Sequence, residues 1–134
     1  MNKEMLIAAI IPSLIFGGCK TGQEIKEQPQ TAVYQQISAQ EAKNMMDEME
    51  EVLILDVREQ SEYDEAHIPG AVLLPLGTIS EKTAAEVIPE KDTMVLVYCR
   101  SGNRSKKASQ ALADLGYTNI YEFGGIIDWP YEKE

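Results

Sequence analysis

Met94-Val95-Leu96-Val97-Tyr98-Cys99-Arg100-Ser101-Gly102-Asn103-Arg104-Ser105 is an apolar run that stops at a cysteine and passes into a short polar loop. Behind it, Ala108, Ala111, Leu112 and Leu115 recur at helical spacing within residues 106–115, and Gly116 closes the pattern. The reading is strand, tight loop, helix. It sets Cys99 at the carboxyl end of a buried strand, facing the first turn of a helix whose unpaired N–H groups and dipole favour an anion. A cysteine thiol ionises near ~8.5 in water and at ~3.5–7.5 where such groups or cations surround it, each unit being worth about 1.4 kcal/mol.

The chain has three arginines, and Arg100 and Arg104 both lie in this loop. A Gly-containing loop can turn its amides inward, so main-chain dipoles, helix dipole and guanidinium groups converge on one sulfur. The plainer alternative is a structural cysteine beside two surface arginines. Phosphatases with a Cys-x5-Arg pattern place an arginine six positions after the nucleophile, where it forks onto phosphate. Ser105 occupies that position here. The six-residue loop from Cys99 to Arg104 instead resembles the active-site loop of the rhodanese family, the thiosulfate sulfurtransferases. The resemblance implies a ring of amides that encloses one persulfide sulfur and not a tetrahedral oxyanion.

Three further segments carry the same resemblance, in the family's order and spacing: Leu55-Asp56-Val57-Arg58-Glu59, Ala66-His67-Ile68-Pro69-Gly70-Ala71 and Gly124-Gly125-Ile126-Ile127-Asp128-Trp129. The match runs from about Tyr34 to Trp129. It implies a rhodanese-like α/β domain over residues 34–134, built on a central, mostly parallel five-stranded sheet. The residues point the same way. A strand-like lead-in at 31–37 precedes a capping box at Ser38-Ala39-Gln40-Glu41 and a helix carrying Ala42, Met45, Met46 and Met49. A buried strand at 52–55 ends at Asp56, Ser61 caps a short helix, a short strand at 72–74 stops at Pro75, and a helix at 80–87 stops before Pro89. Strands alternating with helices predict a parallel sheet covered on both faces, with Asp56, Arg58 and Cys99 on one edge.

In the implied chemistry Cys99 is the nucleophile, and the amides of Arg100, Ser101, Gly102, Asn103 and Arg104 hold the persulfide anion. Arg100 and Arg104 attract the anionic donor. The side chains of Ser101 and Asn103 suit hydrogen bonding and turn formation equally. Asp56 and Arg58 are expected to form an ion pair that braces the loop. His67, the sole histidine, reads as a turn residue, and Trp129 as pocket wall or core. The acceptor is a thiol, cyanide or a protein. A binding module that keeps the rhodanese shape without chemistry is the other reading, followed by a phosphatase or arsenate reductase. No cofactor or metal is called for, since the methionine stripe reads as core.

With 134 residues and 44% hydrophobic content the chain supports one ordinary domain. Its formal net charge of −10 argues against nucleic acid as a partner. The apolar run at residues 5–16 is too short to span a bilayer, which takes about 20 residues, and suits the core of a signal peptide over 1–18. Phe16-Gly17-Gly18-Cys19 resembles the lipobox of bacterial lipoproteins, which implies lipidation of Cys19 and anchoring to a bacterial membrane on its periplasmic or extracellular face. Residues 19–33 read as a flexible tether with a reach of about 20 Å. If Cys19 carries lipid, Cys99 is the only thiol left, which favours a reactive role.

Overall fold

A computed structural model describes residues 32–134; the signal-peptide and Cys19 readings lie outside them, as does most of the tether. The described chain runs β1 (Gln35–Gln36), α1 (Ala39–Glu48), β2 (Val52–Asp56), α2 (Gln60–Glu65), β3 (Val72–Leu73), α3 (Glu81–Val87), β4 (Met94–Cys99), α4 (Asn103–Asp114) and β5 (Ile120–Gly125), with single turns of 3-10 helix at Leu76–Thr78 and Ile126–Asp128. The sheet order is β1-β5-β4-β2-β3, and every pairing is parallel. β4 is therefore the central strand.

Strand alternation sorts the core into two layers. Val95, Val97 and Cys99 of β4, with Leu55 of the adjacent β2 and Val57 just after that strand, pack against Ala84 and Ile88 at α3 and against Ala108 and Leu112 of α4. Leu96 and Tyr98 point the other way, to Ala42 of α1, Ile68, Phe123 and Trp129. A strand buried on both faces has to be apolar throughout, which is why residues 94–98 show no polar alternation. The same alternation fixes the site: Cys99 ends β4 on the face that α4 covers.

The helix ends follow local chemistry. Ser38 caps α1 by accepting from the Glu41 amide, while the Glu41 carboxylate accepts from the Ser38 amide, and Ser80 caps α3 by accepting from Thr83. α2 departs from expectation, since Glu59 and not Ser61 precedes it and the Glu59 amide donates to Glu62. α4 also begins earlier than the apolar pattern suggested, at Asn103, behind Gly102 with φ +109°. A side chain disfavours that conformation, so glycine ends the loop there. Ala32, within the expected tether, accepts a hydrogen bond from Gln110 of α4, so the ordered domain includes it.

Candidate active site

Cys99 is buried, and three residues after it the amide of Gly102 donates to its Sγ at 3.0 Å. The positive φ of Gly102 turns that N–H inward and starts α4 at once. Ser105, in the first turn of α4, lies under the sulfur with its Oγ 3.4 Å from Sγ. Burial pushes the Cys99 thiol up; the Ser105 hydroxyl and the amides of Ser105, Gly102 and Ser101 push it down by more, and the net position lies below the ordinary thiol range. The groups that favour the thiolate form are thus neutral dipoles. Of the ring expected from Arg100 to Arg104, Ser101 and Gly102 are the members that face Sγ, and Ser105 joins from outside the expected set.

The floor of the loop is set by β5. An added Cβ at Gly125 would meet the carbonyl of Arg100, and the Ile127 amide donates to that same carbonyl at 3.2 Å. Gly125 thus permits a backbone approach that no side chain allows. Trp129 serves the core: it is 3% exposed and packs its ring against Phe123 and Tyr131.

The arginines separate into three roles. Arg104 forks onto Glu62 at 2.8 and 3.0 Å, and its charge still lies near Cys99. Glu62 is correspondingly held down to about 2 by that hydrogen-bonded guanidinium, against the opposing effect of burial. Arg58 is buried against Asp56, at 2.9 Å to Oδ1 and 2.7 Å to Oδ2, and also donates to the Ala66 carbonyl at 2.7 Å. Tyr98, the residue before the cysteine, donates to Asp56 at 2.6 Å and accepts from the Ile68 amide at 3.1 Å. The segments around Asp56 and His67 are therefore one structural unit, which reaches the cysteine through β4. Arg100 is exposed and lines a cleft of about 290 Å³ beside the loop, with Arg58, Lys133, Glu62, Ile126 and Ile127.

His67 stacks on Tyr63, and its Nδ1 lies 2.9 Å from the Tyr63 carbonyl; its backbone pairs with that of Glu134. Asn103 is exposed at the start of α4. Residues that the sequence reading did not single out are Glu62, Tyr98, Glu122 and, as a contributor, Ser105. Glu122 is 2% exposed, and its Oε2 accepts from the Gly124 amide at 2.9 Å and from the Ser105 hydroxyl. The available signal was alternation in β5, which puts Glu122 on the same face as Ile120.

A central parallel sheet, helices on both faces and a cysteine cradled where the middle strand meets its helix define the class, and the family model for the Rhodanese-like domain matches residues 38–130. The chain belongs to the rhodanese-like family. It is 38% identical over 74 residues to the thiosulfate sulfurtransferase PspE of Escherichia coli (strain K12), covering 55% of this chain and 70% of PspE. The thiosulfate sulfurtransferase GlpE of Coxiella burnetii (strain RSA 331 / Henzerling II) is 34% identical over 98 residues, 72% of this chain and 88% of GlpE. The putative sulfur carrier protein YrkF of Bacillus subtilis (strain 168) is 39% identical over 100 residues, and the match spans 74% of this chain and about half, 52%, of YrkF. Among solved structures, a rhodanese with anions from E. coli matches with a TM-score of 0.58 at 32% identity, covering 62% of this chain and 96% of that one.

Proposed function

We propose that this protein is a sulfurtransferase that moves a sulfane sulfur from a small anionic donor such as thiosulfate to a thiol, cyanide or protein acceptor, through a persulfide on Cys99. In the first half-reaction the Cys99 thiolate attacks the outer sulfur of thiosulfate. A new S–S bond forms, the donor's S–S bond breaks, and sulfite leaves with the bonding pair. In the second, the acceptor attacks the outer sulfur of the persulfide and Cys99 leaves as thiolate. The observation that carries the reading is the donor set on Sγ, with the Gly102 amide at 3.0 Å and the amides of Ser101 and Ser105 beside it. Such preorganised dipoles stabilise one sulfur anion without reorganising. Arg100 at the cleft supplies the cation for the donor's sulfonate end.

Ser105 speaks against phosphoryl transfer. It stands where a phosphatase places its arginine, and its buried hydroxyl is turned to Cys99 and Glu122. A binding module without chemistry has no use for a thiol held below its ordinary range. Intact-mass measurement after incubation with thiosulfate tests the reading: a gain of one sulfur that cyanide removes, absent in Cys99→Ser, supports it. No gain, together with turnover of an aryl phosphate, rejects it.

The proposal extends to placement, with Cys19 lipidated and residues 19–33 linking the domain to the periplasmic or extracellular face of a bacterial membrane. Partition of the full chain into detergent, lost in Cys19→Ala, supports this. Equal partition of the two proteins rejects it.

A further inference from the structure

Two carboxylates are buried among the described residues, and they are treated differently. Asp56 has the fork of Arg58. Glu122 lies beneath the nucleophile on β5, and the charged group that approaches it is Lys106 of α4, 3.9 Å from Oε1 and half exposed. Gln36 of β1 is 3.4 Å from the same oxygen, and the Gly124 amide holds Oε2. Between Glu122 and Cys99 stands one side chain, Ser105, fully buried, 3.4 Å from Sγ and hydrogen-bonded to Oε2. The Gly102 and Gly124 carbonyls are its weaker acceptors, at 3.1 and 3.4 Å; a carboxylate outcompetes both.

We propose that Cys99, Ser105 and Glu122 form a buried proton relay that ionises the nucleophile. In the resting thiol state the Cys99 S–H points to Ser105 Oγ and the Ser105 O–H to the Glu122 carboxylate. The Cys99 proton passes to Ser105 as the Ser105 proton passes to Glu122. The products are a Cys99 thiolate that accepts from Ser105 and a neutral Glu122 that donates to Ser105. No proton is gained or lost, one buried negative charge moves from oxygen to sulfur, and every hydrogen bond in the chain survives with its direction reversed. Ser105 touches the reacting atom and is a catalytic residue; Glu122 acts through it and is a positioning residue. Arg104, whose charge lies near Cys99, favours the thiolate end, and Lys106 and Gln36 favour the carboxylate end.

This deepens the proposed transfer and rests on it only in taking Cys99 as the nucleophile. Alkylation by iodoacetamide, followed by mass spectrometry on the Cys99 peptide of the full chain, reads thiolate against pH without any sulfur donor. The relay makes Cys99 and Glu122 one coupled pair, so the wild-type rate rises in two steps separated by a plateau. Glu122→Gln, which keeps a hydrogen-bonding partner for Ser105 and removes the carboxylate that competes with Cys99 for the pair's one negative charge, collapses the profile to one step, with the rate in the former plateau no lower than in wild type. In a Ser105→Ala background the same change has no further effect. Superimposable profiles for wild type and Glu122→Gln overturn the relay, as do independent effects of the two substitutions.

Should either variant fail to fold, infrared spectra of the wild-type protein decide. A protonated-carboxyl band that persists at pH values where thiolate absorbance has already appeared supports the relay, and loss of that band before any thiolate appears refutes it. A protein that takes up sulfur yet titrates in one step refutes the relay alone; one that titrates in two steps and takes up no sulfur refutes the transfer alone.

Discussion

The Cys99 thiol lies below its ordinary range because of where its neighbours' dipoles point. Burial opposes the thiolate, and one hydroxyl and three amides overcome that opposition. Of the two loop arginines expected to attract the donor, Arg104 is engaged by Glu62. That pair carries its own pH dependence. Glu62 ionises at about 2 in the folded protein against 4.5 ordinarily, so its contribution to stability is fully present above about pH 4.5 and is lost as pH falls toward 2. Thermal unfolding across that window should show stability falling with acid, and Glu62→Gln should remove part of the slope. An unchanged slope in the variant would place the acid sensitivity elsewhere.

At the scale of elements, the cysteine loop is held by two supports that are distant in sequence. β5 lets the Arg100 carbonyl lie where a side chain at 125 would be, so Gly125→Ala should cost about 1–3 kcal/mol by overpacking and should reduce sulfur transfer more than it reduces stability, because Arg100 and Ser101 must move. Comparison of urea unfolding with the rate of persulfide formation checks this. β2 and β4 are tied through Asp56, Arg58 and Tyr98 to residues 66–68. Arg58→Met leaves Asp56 buried beside a hydroxyl and without its cation, and unfolding should be easier by about 3–5 kcal/mol. A change under 1 kcal/mol, on the order of a surface pair, would show that the pair is dispensable.

These elements also mark what was legible in the chain. The strand, loop and helix around Cys99 and the cap at Ser38 follow from local pattern, and the structure has them. The start of α4 did not follow, because a left-handed glycine leaves no Ser, Thr or Asp signal at the boundary. Glu122 was missed because a lone acidic residue in a strand reads as solvent-facing until its neighbours' alternation is assigned to the sheet. The link between the Asp56 and His67 segments runs through Tyr98, a contact across strands that no spacing along the chain reveals.

On the scale of the molecule, the proposed anionic donor meets a chain with a net charge of −10, in which cations gather locally. Arg58 and Arg100 share one cleft with Lys133, while Arg104 lies in the first turn of α4. Such a local field draws a small anion to a surface that otherwise repels it. The fold supplies the other requirement, since a central parallel strand delivers the sulfur to the sheet edge where a helix start and a turned loop meet. The most direct test is a crystal structure of the protein after thiosulfate treatment. The account predicts one additional sulfur bonded to Cys99 Sγ, enclosed by the amides of Ser101, Gly102 and Ser105. An unmodified Cys99 in crystals that have taken up thiosulfate elsewhere would contradict it.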